Sequence, residues 1–75
     1  MANEELLREK IAESGLKMSA IADKMGVSRQ TLYKKIRGDS DFLAGEVVVL
    51  TRVLQLSRGE RDKIFLDKKL YKTQH

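Results

Sequence analysis

Residues 18–37 read MSAIADKMGVSRQTLYKKIR, and this stretch decides the fold. The helical spacing of its apolar residues predicts two short helices, from Met18 to Met25 and from Arg29 to about Arg37. About three residues join them, so the two helices must cross at a steep angle and pack closely. Gly26 supplies the positive φ that such a turn needs, and Ser28 is placed to cap the second helix.

The helix from Arg29 to Arg37 has one apolar side and one polar side. Leu32 and Ile36 are four residues apart, so both turn toward the core. The opposite side carries hydrogen-bond donors and no acid, namely Arg29, Gln30, Tyr33, Lys34 and Arg37. Arginine and lysine match guanine O6 and N7, and glutamine pairs with adenine N6 and N7. The pattern therefore predicts a surface suited to the major groove of DNA.

Positive charge is concentrated in this same part of the chain. The formal net charge is +4, yet residues 17–37 hold six basic side chains against one acid, Asp23. The other residues hold nine basic and ten acidic side chains, so the excess is local. A local basic face attracts a polyanion. An ordinary solvated surface has the same composition, however, so charge alone does not decide between the two.

Apolar spacing is helical along the rest of the chain as well. We expect a first helix from an N-cap at Asn3 to Ser14, which Gly15 ends. A fourth helix is expected from about Ala44 to Gln55. A fifth follows the capping box of Ser57 and Glu60, runs to about Leu70, and turns Ile64 and Phe65 inward.

These elements predict an all-α fold, a compact bundle of five short helices. Seventy-five residues are enough for one domain. We expect that domain to span residues 1–75, with its core over about residues 3–67 and a basic tail over residues 68–75.

Composition argues against several classes of protein. The chain has no cysteine, and its one histidine is the last residue, His75. Thiolate metal sites and Ser–His or Cys–His catalytic pairs are thereby excluded, so we expect no enzyme, metal or cofactor. The N-terminus lacks a signal-peptide pattern, and the longest apolar run, Val47 to Leu50, is far too short for a membrane span. We expect a cytoplasmic protein with no small-molecule ligand.

Residues 18–37 resemble the helix-turn-helix of the Cro/C1-type (XRE) phage-repressor family. The family pattern is an alanine, a glycine four residues later and an aliphatic residue six further on. Ala22, Gly26 and Leu32 hold those places, and Val27 and Ile36 also match. The resemblance covers about residues 3–67. It implies a lambda-repressor-like DNA-binding domain that acts as a transcriptional regulator, of the phage or prophage repressor kind.

The resemblance also implies roles for single residues on double-stranded DNA. Base edges would be contacted by Arg29, Gln30, Thr31 and Lys34. Phosphates would be held by Lys17, Met18, Ser19, Ser28, Tyr33, Lys35 and Arg37, which set the register without reading sequence. The first three of these lie at the N-terminus of the second helix, where backbone amides face an anion.

The chain departs from the family pattern at three places. Met18 stands where many relatives have glutamine, so a phosphate there would rely on backbone amides, Ser19 and Lys17. Asp39 and Asp41 replace basic residues that some relatives place against the DNA backbone. Leu43 replaces the Ser or Thr expected before the fourth helix, which leaves Ser40 or Asp41 as its cap.

A single base-reading helix covers only a few base pairs, so we expect a homodimer on two half-sites about one helical turn apart. Leu66, Leu70 and Tyr71 are the candidate dimer surface. Two alternatives keep the DNA binding: an antitoxin, or the DNA-targeting subunit of a recombination or packaging complex. A third is a helical protein-interaction module without DNA binding, which would carry acidic or apolar residues on the outer side of the third helix.

Overall fold

Five helices follow one another along residues 2–66, the part of the chain that the computed structural model describes. They are α1 (Glu4–Ser14), α2 (Met18–Met25), α3 (Arg29–Arg37), α4 (Ala44–Val53) and α5 (Arg58–Phe65). No strand occurs within residues 2–66. The predicted all-α class with five short helices is confirmed.

The first three helices begin and end where the sequence predicts. Asn3 caps α1, because its Oδ1 accepts a hydrogen bond from the Leu6 amide at 3.1 Å. Ser28 caps α3 in the same way through the Thr31 amide, at 3.0 Å. Gly26 ends α2 with a φ of 74°, a conformation that only glycine adopts at no steric cost. Local chemistry therefore sets the helix-turn-helix.

The N-terminus of α4 is capped differently from the prediction. Leu43 is its N-cap residue, so neither Ser40 nor Asp41 holds that place. The Leu43 backbone N–H instead donates to Glu46 Oε1 at 2.9 Å. The leucine side chain has no hydrogen-bond acceptor, so it cannot satisfy an amide of the first turn. The only side-chain bond of this cap is therefore the one from the Leu43 amide to the carboxylate at the third helical position.

α4 ends at Val53, two residues before the predicted Gln55. Gln55 has a φ of 53°, and the Leu56 amide donates back to the Thr51 carbonyl at 2.9 Å. This is a Schellman closure, with glutamine where glycine is usual. Leu54 and Leu56 are both buried. Residues two apart point to nearly opposite sides of an α-helix, so α4 has to end for both side chains to reach the core.

The predicted end of α5 at about Leu70 is wrong, because the helix ends at Phe65 and Leu66 has non-helical φ and ψ of −122° and 59°. Ile64 and Phe65 are its last inward residues. The Ser57–Glu60 capping box is confirmed. Leu70, Tyr71 and the predicted basic tail lie outside the described residues.

One apolar core orients α3. α2 packs against both α3 and α4, and α1 packs against α3 and α5. The fully buried side chains come from all five helices: Leu7, Ile21, Leu32, Ile36, Leu50 and Ile64. Because Leu32 and Ile36 are 0% and 1% exposed, the opposite side of α3 lies at the surface.

An ion pair between Lys10 and Glu60 ties α1 to the start of α5. Glu60 Oε1 also accepts a hydrogen bond from the Ser57 amide at 2.8 Å. The hydrogen bond from Lys10, and then that from the Ser57 amide, lower the pKa of Glu60 to about 2. The same bond raises the pKa of Lys10.

This pair predicts a loss of stability in acid. The pKa of Glu60 is lower in the folded protein than the ordinary value of 4.5, so the pair stabilises fully above that pH. Its contribution is then lost as the pH falls toward about 2. We expect Glu60→Gln to lower the free energy of unfolding at pH 7 and to flatten its fall below pH 4.5, as measured by urea denaturation at a series of pH values. A variant with the pH profile of the parent protein would rule this out.

Candidate nucleic-acid interface

The outer side of α3 presents three of the four predicted base-reading residues to solvent. Arg29, Gln30 and Lys34 are exposed, whereas Leu32 and Ile36 on the other side are buried. No acidic residue lies in the first turn of α3. The exposed side of α3 is therefore a row of hydrogen-bond donors on a rigid, core-anchored helix.

Thr31 and Ser28 are joined to each other at the start of α3. Ser28 Oγ accepts from the Thr31 amide at 3.0 Å and donates its one hydrogen to Thr31 Oγ1 at 2.9 Å. Thr31 is half-buried and keeps its own hydroxyl hydrogen to donate. The Ser28 side chain therefore serves as a helix cap. It could donate to a phosphate only by giving up its hydrogen bond to Thr31 Oγ1.

The N-terminus of α2 has the features of an anion site but few side chains to support it. Its N-cap residue, Lys17, makes no side-chain cap bond, and no acid lies in the first turn. Lys17 and Ser19 are exposed, while Met18 is half-buried and packs on the core. Met18 can therefore offer an anion only its backbone amide, at the positive end of the helix dipole.

A notch beside this helix end brings α1, α2 and α3 together. It is lined by Arg8 and Ala12 of α1, by Met18 of α2 and by Tyr33 of α3. Tyr33 is half-buried there, so it lies near the start of α2 rather than alone on the outer side of α3. The fold thus groups Tyr33 with the α2 N-terminus.

The structure holds Lys35, one of the predicted phosphate contacts, in an ion pair within the protein. Its Nζ lies 3.0 Å from Glu46 Oε1, and the two side chains are only 11% and 12% exposed. The same Nζ donates to the Asp41 carbonyl at 2.9 Å. Lys35 sits on the flank of α3 nearest the α3–α4 loop, so its ammonium is held by the protein instead of facing solvent.

Arg37 is also paired, but at the surface. Its guanidinium contacts Asp39 Oδ2 at 2.9 Å, with side chains that are 50% and 57% exposed. Exposed pairs of this kind contribute about 1 kcal/mol or less, so a phosphate can compete for the guanidinium. Arg37 therefore stays available where Lys35 does not.

The sequence profile of the helix-turn-helix family matches residues 7–60, more than half of the chain. That range contains α2, the turn and α3, with the packing described above. The chain belongs to the Cro/C1-type (XRE) helix-turn-helix family. It is accordingly a DNA-binding regulator of that family. No curated protein and no solved structure matches the chain.

Two residues of this helix-turn-helix regulator lie near the site although they are not among its predicted residues, namely Arg8 and Glu46. Arg8 reaches the notch beside Tyr33 from α1, and its Nε is 2.9 Å from Glu4 Oε2. No local pattern predicts that approach. Glu46 holds Lys35, and a signal for it did exist: it stands three residues after the N-cap position, where a carboxylate often caps a helix.

Within residues 2–66, no group of three or more His, Cys, Asp or Glu side chains could hold a metal ion. None of the helices in that range has the length and apolar character needed to span a lipid bilayer.

Proposed function

We propose that this regulator binds a specific sequence of double-stranded DNA and represses transcription, as phage- or prophage-type repressors do. In this proposal α3 lies in the major groove. The observation that carries it is the orientation of α3, with Leu32 and Ile36 buried and Arg29, Gln30 and Lys34 exposed on the other side. An α-helix fits the major groove, and these side chains match the acceptor and donor pattern of base edges.

The proposed contacts divide into two groups. Arg29, Gln30 and Lys34 read bases, and Thr31 adds its methyl or hydroxyl at the first turn. The phosphates of DNA are contacted by a second set of residues, namely Lys17, Ser19, Tyr33, Arg37 and the backbone amide of Met18. Ser28 caps α3 next to this set. This division assigns sequence preference to the four base-reading residues of α3 and register to the phosphate contacts around them.

We propose further that the regulator acts as a homodimer in the bacterial cytoplasm, without a small-molecule effector. α3 has nine residues, so it is only about 14 Å long and spans about four base pairs. Two copies on adjacent half-sites double the readout. Leu43 and Val48 are 64% and 56% exposed, and Val48 and Leu66 line an apolar groove beside α4. We assign this face to the second copy.

Selection of bound sites from a random duplex pool tests the proposal, together with sedimentation of the protein with the selected duplex. We expect one enriched sequence with two-fold symmetry, half-sites about ten base pairs apart and two protein copies per site. Failure to enrich any sequence would contradict specific binding. An asymmetric site of about four base pairs with one copy would contradict the dimer and leave specific binding intact.

A further inference from the structure

One carboxylate oxygen links the flank of α3 to the start of α4. Glu46 Oε1 lies 3.0 Å from Lys35 Nζ, and it accepts a hydrogen bond from the Leu43 amide at 2.9 Å. The ammonium also donates to the Asp41 carbonyl at 2.9 Å. The Glu46 carboxylate and the Asp41 carbonyl thereby hold Lys35 in a position that is about nine-tenths covered.

The position of Lys35 on α3 gives this arrangement a consequence for DNA. Lys35 directly follows the exposed Lys34 and precedes the buried Ile36, so it lies on the flank between the outer and the inner side. A helix in the major groove has rows of phosphates along its flanks. The flexible four-carbon stem of a lysine on that flank can turn its ammonium toward them.

We propose that Glu46 limits the affinity of this regulator for DNA by withholding the Lys35 ammonium from the phosphate backbone. If the carboxylate of Glu46 is removed, the covered ammonium of Lys35 loses the negative charge beside it. Its free energy is then lower in solvent or beside a phosphate, so the side chain turns outward. This inference rests on the proposed function, in which α3 enters the major groove. It adds that a residue of α4, outside the helix-turn-helix, sets how much charge α3 presents.

The decisive variant is Glu46→Gln. Glutamine keeps an oxygen that accepts the Leu43 amide, so the α4 cap remains while the charge that holds Lys35 is gone. We expect tighter binding to cognate and to random duplex alike, because phosphate contacts carry no sequence information. The slope of log K against log salt becomes steeper by about 0.9, so about threefold more affinity is lost between 50 and 200 mM salt.

Two further variants assign the effect to Lys35. Lys35→Met removes a cation that the wild type does not offer to DNA, so its salt slope stays at the wild-type value. The double variant Lys35→Met, Glu46→Gln has the net charge of the wild type, and we expect it to have the wild-type slope as well. A shallower slope for Lys35→Met overturns the inference, as does a slope that stays steep in the double variant.

Glu60→Gln is the matched control, because it also removes a carboxylate from a lysine pair, but between α1 and α5. Its salt slope should equal that of the wild type. If Glu46 served the fold alone, Glu46→Gln would weaken binding or leave it unchanged, and either result overturns the inference. If the wild type itself shows no preference for any selected site, the proposed function fails instead.

Discussion

Replacement of Leu32 by alanine is expected to lower the free energy of unfolding by about 2–5 kcal/mol. Leu32 is fully buried on the inner side of α3, where it meets the core that α1 and α2 also line. Alanine removes apolar contacts and leaves a cavity that short helices can fill only in part. A domain of this size has a total stability of only about 4–11 kcal/mol, so the loss is a large share of it.

Urea denaturation followed by circular dichroism measures this loss. Leu43→Ala is the matched control, because it makes the same change at a side chain that is 64% exposed. It should shift the free energy of unfolding by no more than about 0.5 kcal/mol in dilute protein. Equal shifts for the two variants would mean that Leu32 is not a core anchor and that the inner side of α3 is misassigned.

The first three helices could be predicted from the sequence because their ends are set by local chemistry. Asn3 and Ser28 each cap a helix with their own side chain, and Gly26 ends α2 with a left-handed conformation. These interactions span no more than four residues. The residues that set these helix ends can therefore be recognised from a short stretch of sequence.

The ends of α4 and α5 depend on tertiary packing, which a local pattern does not contain. Gln55 takes a left-handed conformation because Leu54 and Leu56 must both be buried, although nothing in its side chain signals a stop. Phe65 closes α5 where its ring meets that of Phe42, with centroids 5.3 Å apart. In both cases the core ends the helix before the apolar pattern does.

The site shows the same division between local and distant causes. The exposure of Arg29, Gln30 and Lys34 follows from helical periodicity, and the sequence alone was enough to predict it. The pairing of Lys35 depends on Glu46, eleven residues away and on another helix. A pattern of charges along one helix does not show that a carboxylate from elsewhere neutralises one of them.

Lys34→Ala is expected to weaken binding to the selected site by about 1–3 kcal/mol, or about 5- to 150-fold in Kd. Lys34 is exposed on the outer side of α3, opposite the buried Leu32 and Ile36, so in the groove its ammonium faces base edges. The loss should be concentrated on the selected sequence, and selection with the variant should show relaxed preference at one position of each half-site. Titration of selected and random duplexes at one fixed salt concentration measures both effects.

Lys63→Ala provides the comparison for Lys34→Ala, since Lys63 is an exposed lysine on a different helix, α5. It lowers the net charge by the same amount, so it corrects for the loss of general attraction between the protein and DNA. We expect it to leave the ratio of selected to random affinity unchanged. If Lys34→Ala also left that ratio unchanged, its ammonium would be a phosphate contact, and sequence reading would rest on Arg29 and Gln30 alone.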